Sequence, residues 1–207
     1  MASDDLDFEK KAGDIIGLYL NPRQHAAVFC VDEKAANQIM DCRDSVLLLY
    51  PGSAERRGVE FHRQGTLSLY TAFNTKTAEV LGKLAARHTS AEFIAFVTDI
   101  VVNQSRGKEI HVIVDNLSAH KTIQVKDLLE AHGNVHLHFA PTYSCWLNQV
   151  EVWFSNIERD IVCTLVSDLK RKLMRYIRRY NKAPKTVRWK YCGPTRRIAA
   201  ESNVTMH

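Results

Sequence analysis

Two acidic residues stand at positions from which they could hold a divalent cation. Asp115 ends the apolar run Ile110 to Val114, which has the pattern of a buried strand. An interval of 35 residues separates it from Glu151, which lies in a segment whose apolar side chains recur at helical spacing, namely Val150, Phe154, Ile157 and Ile161. A strand-end carboxylate facing a helical carboxylate suits Mg²⁺, because this hard cation takes oxygen ligands and leaves room for substrate phosphates.

A third acid follows a second apolar run. The run Ala26 to Val31 ends on Asp32, so two strand-like segments are each terminated by an aspartate. If the two strands are parallel neighbours, both carboxylates emerge at the same edge of the sheet. The adjacent Glu33 points to the opposite face, since successive strand side chains alternate, and it is interpreted as a solvent-facing or supporting group. The spacing alone is a weak motif in a chain with 23 acidic residues.

The remaining periodicity predicts the elements that must position these acids. Thr89 to Glu92 has the sequence of a capping box that opens an amphipathic helix. The other predicted helices cover 8–20, 119–132 and 168–181, and the other predicted strands cover 46–50, 66–73, 78–84 and 135–139. A strand–helix–strand unit implies a parallel pair with a right-handed crossover, whereas the two strands before the capping box form a hairpin. The order therefore predicts an α/β fold with a mixed sheet.

The composition indicates one domain with its own core. The chain has 207 residues, of which 45% are hydrophobic, and no stretch is long and apolar enough to span a membrane. The first ten residues are acidic and lack an apolar segment, so no signal peptide is expected. Five cysteines without a C-x-x-C pair indicate reduced thiols, and we therefore expect a cytoplasmic protein.

Basic residues concentrate towards the C-terminus. Residues 161–207 contain 12 basic and 2 acidic residues, whereas residues 1–160 contain 16 basic and 21 acidic residues. Such a segment indicates a polyanionic partner, most simply nucleic acid, and a solvated helix face is the alternative. The last predicted helix and its end carry a row of basic side chains that could follow a phosphate backbone: Lys170, Arg171, Arg175, Arg178 and Lys182.

Several histidines and tryptophans admit two interpretations. His120, five residues after Asp115, could contact phosphate or orient a carboxylate, or it could be satisfied within its own turn. His136 and His138 share a strand face and could bind a metal, but no third ligand accompanies them at a zinc-site spacing. Trp146 and Trp153 could stack on bases, and both are predicted to be buried.

Three sequence blocks, taken in this order, resemble the catalytic core of DDE transposases. They are V-D-E-K at 31–34, D-N-L-S-A-H-K at 115–121 and P-T-Y-S-C-W-L-N-Q-V-E-V-W-F-S at 141–155. The nearest group is the bacterial "six-thirty" group of insertion sequences, which is related to mariner elements. The resemblance implies a ribonuclease-H-like mixed sheet flanked by helices over residues 23–183, between a polar lead-in at 1–22 and a basic tail at 184–207.

The same resemblance implies a chemistry. It is metal-dependent cleavage and transfer of DNA strands, with two Mg²⁺ or Mn²⁺ ions held by Asp32, Asp115 and Glu151. Four further residues fall on supporting positions of the family's motifs: Asn116, His120, Trp146 and Asn148. The implied partner is double-stranded DNA, both transposon ends and target, and the implied active form is a homodimer associated with the bacterial nucleoid.

Three departures from the family pattern keep two alternatives open. We expect no helix-turn-helix region before Asp32, residues 160–167 are shorter than the family's corresponding segment, and Cys145 stands where serine is usual. One alternative is a catalytically inactive DNA-binding remnant of a truncated transposase. The other is a stand-alone ribonuclease-H-like nuclease.

Overall fold

The computed structural model describes residues 5, 7–21, 25–35, 67–105, 107–160 and 166–187. The predicted strand at 46–50, the helical position Ile161 and the tail beyond residue 187 lie outside these residues, as does most of the shortened segment after Asp160. Within the described ranges, no helix combines the length and the apolar character that crossing a membrane requires.

A five-stranded mixed sheet lies at the centre of the described chain. In chain order the strands are β1 (Ala26–Ala35), β2 (Ser68–Asn74), β3 (Val80–Ala85), β4 (Glu109–Val114) and β5 (Val135–Phe139). Their spatial order is β3-β2-β1-β4-β5. The pairs β1/β2 and β2/β3 are antiparallel, whereas β1/β4 and β4/β5 are parallel. The predicted hairpin, the parallel pair and the mixed α/β sheet are confirmed.

Helices connect and flank these strands. They are α1 (Phe8–Leu20), α2 (Ser90–Val102), α3 (Ile123–Ala131), α4 (Val150–Asp160) and α5 (Val166–Tyr180), with short 3-10 helices at Ser118–Lys121 and Cys145–Leu147. The capping box predicted for α2 is present, since the Thr89 side chain accepts from the Glu92 backbone and the Glu92 side chain accepts from the Thr89 backbone.

Two predicted elements differ from the structure. The helix predicted over 119–132 is divided into a 3-10 turn and α3, because the backbone at Thr122 is extended. The strand predicted to end before Asp32 continues to Ala35, because its last residues pair with β2. Pairing of β1 with β4 ends at Cys30, so Asp32 lies beyond the parallel part of the sheet.

Packed side chains cover both faces of the sheet. On one face, α4 and α5 bury Trp153 and Leu173 in the same cluster as Ile113 of β4, and α1 joins them. On the other face, α2 buries Phe96 with Val112, and α3 joins that cluster. Burial on both faces explains why the parallel strands read as continuous apolar runs. It also assigns each strand-end side chain to one helical layer, since neighbouring residues alternate.

Asn181 fixes the end of α5 to the outer strand of the sheet. Its Oδ1 accepts a hydrogen bond from the Val80 backbone N–H at 2.9 Å, and its Nδ2 donates to the Val80 carbonyl at 2.8 Å. The amide therefore pairs with β3 as a further strand would, on an edge that otherwise exposes unpaired backbone groups.

Replacing Asn181 with alanine should lower the free energy of unfolding by about 1–3 kcal/mol, because the backbone polar groups of Val80 lose their partners. Val80 is only 3% exposed, so water cannot fully replace the amide. Lys182→Ala is the control, since this neighbouring side chain is exposed and should change stability by less than about 0.5 kcal/mol. Urea unfolding curves would contradict the anchoring role if the two variants were equally stable.

Candidate active site

Asp32, Asp115 and Glu151 line one open cavity of about 340 Å³. Asp32 comes from β1, Asp115 from the residue after β4, and Glu151 from the first turn of α4. The segment 140–145 between β5 and α4 supplies much of the remaining wall. Three acids that are distant in sequence therefore line one cavity; their convergence in one metal site and their assignment as metal ligands stay predictions.

The parallel register of β1 and β4 brings the two aspartates to the same edge. Cys30 is the partner of Ile113, and this is the last pair of the parallel ladder. Two residues further along each strand stand Asp32 and Asp115, so both follow the ladder at the same carboxyl-terminal edge. This edge is where ligand crevices form in open α/β sheets.

The start of α4 places the third acid. Burial of four side chains fixes this helix on the sheet: Val150, Trp153, Phe154 and Ile157. Glu151 turns away from the buried stripe and is half-buried at the rim of the cavity. Its position in the first turn is favourable for a negative charge, because the helix dipole is positive at this end.

Asn148 lies between the strand and the helix that carry the acids. It is 2% exposed, and its Nδ2 donates to the Val31 carbonyl at 3.0 Å. Its Oδ1 is buried and accepts no hydrogen bond from any described residue, although the side chain lines the cavity. Such an unsatisfied buried oxygen calls for an explanation, and a bound water or ion is one.

The three acids repel one another. Burial, followed by the negative charges of Glu151 and Asp115, raises the pKa of the Asp32 carboxyl to about 8, against a lowering hydrogen bond from the Glu33 backbone. The donor of that bond is the Glu33 N–H, 2.8 Å from Asp32 Oδ1. A carboxyl that is protonated near neutral pH beside two other acids marks a candidate functional site.

His120 contacts a carboxylate on either side of its ring. Nδ1 lies 2.9 Å from Asp115 Oδ1, and Nε2 lies 3.7 Å from Glu33 Oε2. Burial alone would lower the pKa of the His120 imidazole, but contacts with the two carboxylates raise it to about 9. Both ring nitrogens then carry a proton at neutral pH. Neither is aligned for a hydrogen bond with a described residue, so the two contacts are ion pairs. Of the interpretations open from sequence, this geometry favours orientation of a carboxylate.

Asn116 connects the end of β4 to the cavity wall. Its Nδ2 donates to Thr142 Oγ1 at 3.0 Å, and its Oδ1 accepts from Lys121 Nζ. The wall is also fixed to the sheet, since the Ala140 N–H donates to the Val114 carbonyl at 2.8 Å. Asn116 therefore connects the end of β4 to Thr142 of the cavity wall, and its supporting role in the site stays a prediction.

The tryptophans behave differently from one another. Trp153 is buried, as predicted, but Trp146 is 38% exposed, and its predicted burial is wrong. The reason is the short 3-10 helix at 145–147, in which Leu147 takes the buried position. Tyr143 in the cavity wall is 86% exposed and has a left-handed backbone with φ 61°, an unusual conformation for a bulky residue.

A group of histidines lies on the face of the sheet that carries α1. His111 Nδ1 and His138 Nε2 are 2.9 Å apart, and His138 Nδ1 is 2.5 Å from Asp14 Oδ2. His136 is exposed and stacks on His111. In the part of the chain that the structure describes, no three His, Cys, Asp or Glu side chains form a group that could hold a metal ion.

The five predicted DNA-binding residues lie elsewhere, on and just after α5. All are exposed, and none lines the cavity: Lys170, Arg171, Arg175, Arg178 and Lys182. The opposite side of α5 buries Leu169, Leu173 and Ile177, as the predicted apolar stripe requires. Their role in binding DNA stays a prediction.

In metal-free solution, stability should fall as the pH rises from 3.8 to about 8. Over this range the folded Asp32, with its pKa of about 8, keeps a proton that the unfolded chain has released. One such group changes the free energy of unfolding by at most about 1.4 kcal/mol per pH unit. His120 also lowers stability as the pH rises from 6.5 to about 9, because the folded protein favours its charged form and that form is lost over this range.

Asp32→Asn should remove the part of the pH dependence that comes from Asp32 and make the metal-free protein more stable than the wild type at about pH 8. Urea unfolding in EDTA across this pH range measures the difference. Asp127→Asn, which changes an exposed acid on α3, should keep the wild-type slope. A wild-type slope in Asp32→Asn would show that Asp32 is an ordinary carboxylate.

Comparisons with known proteins concern the family and the fold of this chain. The DDE superfamily endonuclease family matches residues 27–171. The chain is 29% identical over 93 residues to an uncharacterized 39 kDa protein of insertion element IS630 from Shigella sonnei, over 43% of this chain and 27% of that protein. The Mos1 transposase paired-end complex with left transposon end has a similar fold, with a TM-score of 0.59 at 14% identity over 86% of this chain and 54% of that chain.

The structure of the Mos1 transposase catalytic domain and raltegravir with Mn is similar as well, with a TM-score of 0.56 at 12% identity over 83% of this chain and 80% of that chain. The chain spans about a quarter of the Shigella protein and about half of the Mos1 chain in the paired-end complex. The predicted ribonuclease-H-like fold and the resemblance to transposase cores of this group are confirmed. Since the family match runs from β1 into α5 and includes all three acids of the cavity, the chain belongs to the DDE superfamily endonuclease family.

Proposed function

We propose that this chain cleaves and joins DNA strands as the catalytic domain of a transposase, with Asp32, Asp115 and Glu151 as the ligands of divalent metal ions. One observation carries the proposal: acids from three separate elements line one cavity in a member of an endonuclease family. Mutual repulsion of these acids is unfavourable for folding, and a bound cation would turn it into attraction.

The donor atoms of the cavity fit Mg²⁺ or Mn²⁺. Three carboxylates and the unsatisfied Asn148 Oδ1 are oxygen donors, which hard cations prefer. Among the described residues, no three His, Cys, Asp or Glu side chains form such a group by themselves, so water molecules would complete the coordination in the absence of DNA, and oxygens of a DNA phosphate would replace some of them when DNA binds. Mn is present with the catalytic domain of Mos1 transposase. When bound, two such ions stabilise the attacking and leaving oxygens of an in-line displacement at phosphorus.

Other residues of this chain would hold the acids in place, and Asp32 would lose one proton when the ions bind. Asp32 would release its proton as the positive charge of the ions offsets the repulsion from Glu151 and Asp115. Asn148, bonded to the Val31 carbonyl at 3.0 Å, keeps the start of α4 at a fixed distance from β1. Acids carried by a sheet edge and a packed helix keep a more precise geometry than acids carried by loops.

Double-stranded DNA is the proposed substrate, as transposon ends and as target. The paired-end complex of Mos1 transposase contains a left transposon end. In this chain the exposed basic side of α5 would contact phosphates at a distance from the reacting bond, because none of its residues lines the cavity. Phosphate contacts give affinity without sequence information. The active form that we propose is a homodimer, with one cavity for each DNA end.

The chemistry is tested by nicking of supercoiled plasmid in Mg²⁺ or Mn²⁺. Asp115→Asn should reduce the rate at least about a hundredfold, because a lost ligand weakens the stabilisation of charge in the transition state. Asp127→Asn, an exposed acid on α3, should retain the wild-type rate. Equal nicking by wild type and Asp115→Asn would refute the assignment, and inactivity of both would favour the remnant alternative.

The DNA contact is tested by a salt titration of binding. Replacing Arg171, Arg175 and Arg178 with alanine should weaken binding to every duplex and lower the slope of log K against log salt by roughly 2–3, since each lost phosphate contact removes about 0.9. Fluorescence anisotropy with an element end and with a scrambled duplex supplies the measurement.

The matched control removes three exposed lysines from other elements, Lys10, Lys76 and Lys126. It lowers the net charge equally and should leave the slope closer to that of the wild type. An unchanged slope in the arginine variant, or a strong preference of the wild type for the element end, would contradict the assigned contact.

A further inference from the structure

Glu33 follows Asp32 directly but belongs to the opposite layer of the molecule. Cys30 lies in the cluster under α4 and α5, and Val31 lies in the cluster under α2. Since strand side chains alternate, Asp32 shares the layer of Cys30, and Glu33 shares the layer of Val31. The Glu33 side chain is only 10% exposed. A carboxylate so placed is separated from the cavity by the sheet itself.

His120 connects this buried carboxylate to the cavity. Its ring is 1% exposed and packs on Phe93 of α2, with 4.1 Å between the ring centroids. One nitrogen lies 3.7 Å from Glu33, and the other lies 2.9 Å from Asp115. The row Glu33, His120 and Asp115 therefore runs from the α2 layer to the rim of the cavity.

Further contacts lie at both ends of this row. Asp115 Oδ1 forms an ion pair with His120, 2.9 Å from Nδ1, and accepts a hydrogen bond from the Leu117 N–H at 3.4 Å, so protein groups surround this oxygen and Oδ2 is the oxygen left for a cation. At the other end, Glu33 Oε1 lies 3.9 Å from His88 Nδ1. His88 Nε2 is in turn 2.5 Å from Ser68 Oγ on β2.

We propose that His120, itself held by Glu33, is a positioning residue that fixes the Asp115 carboxylate so that Oδ2 faces the divalent cation. The proposal rests on the metal site proposed above and deepens it. Groups that orient a metal-binding carboxylate commonly change metal affinity by about 10–100-fold when they are lost. Neither Glu33 nor His120 would touch the metal or the DNA.

Two substitutions of His120 separate orientation from charge. Asparagine can place an amide N–H where Nδ1 stands, beside Asp115, whereas glutamine places it where Nε2 stands, beside Glu33. Both remove the positive charge. The measurement is a titration of the full chain with Mn²⁺ alone, in which electron paramagnetic resonance reports the free Mn²⁺. Compared with the wild type, His120→Gln should bind Mn²⁺ at least about tenfold more weakly, and His120→Asn should bind it within about threefold.

A double-mutant cycle tests whether Glu33 acts through His120. Glu33→Gln should weaken Mn²⁺ binding by about threefold to tenfold, and it should add nothing in the His120→Gln background. His136→Gln, an exposed histidine on β5, is the control and should bind as the wild type does. Circular dichroism and urea unfolding in EDTA identify any variant that does not fold. If His120→Gln is such a variant, Glu33→Gln and His120→Asn carry the test.

The outcomes distinguish this proposal from the metal site itself. Unchanged Mn²⁺ affinity in Asp115→Asn, or no binding by the wild type, would refute both. Lost affinity in Asp115→Asn with wild-type affinity in His120→Gln would refute the positioning role alone. Equal losses in His120→Gln and His120→Asn would also refute it, because charge rather than direction would then matter. Additive effects of the Glu33 and His120 substitutions would show that Glu33 does not act through His120.

Discussion

Repulsion among three carboxylates at one edge of the sheet is the constraint on which the rest of this structure depends. Burial and the charge of Glu151 raise the pKa of Asp32 to about 8, which measures how unfavourable its charged form is. A fold keeps such a site only if packing elsewhere compensates for it. Here β1 and β4 are buried on both faces and α4 is fixed by four apolar side chains, so the acids cannot move apart without loss of core contacts.

The chain compensates this charge from one side of the sheet and leaves the other side open. His120 approaches Asp115 from the layer of α2, where Phe93 and Glu33 hold its ring. The opposite layer carries Asp32 and Glu151. Among the described residues that line the cavity there is no Lys, Arg or His side chain to offset the charge of these acids. This arrangement would suit the proposed metal site, in which the protein fixes Asp115 permanently and bound cations offset the charge of Asp32 and Glu151.

Local sequence patterns were sufficient for much of the fold. The capping box at Thr89, the β2/β3 hairpin and the parallel pair β4/β5 follow from short-range rules, and the structure contains them. The parallel pairing of β1 with β4, which brings Asp32 and Asp115 to one edge, was only a condition in the sequence analysis, and the structure meets it. What failed depended on long-range contacts. β1 continues past Asp32 because β2 pairs with its end, and Trp146 is exposed because Leu147 fills the space beneath its turn. The contact between Glu33 and His120 was not predicted, since it requires the register of β1 and the interruption of the helix at Thr122.

Charge is also separated across the molecule, and the separation bears on how DNA could be bound. The basic side of α5 belongs to a helix whose end is fixed to β3, the outermost strand, whereas the acids lie beside β1 and β4. Without bound cations the cavity repels phosphate, whereas the exposed basic residues attract phosphate whether or not the cavity holds cations. Affinity for DNA and the ability to cut it would then depend on different ions and different residues. Salt would weaken binding through α5, and divalent cations bound at the acids would control the cutting step.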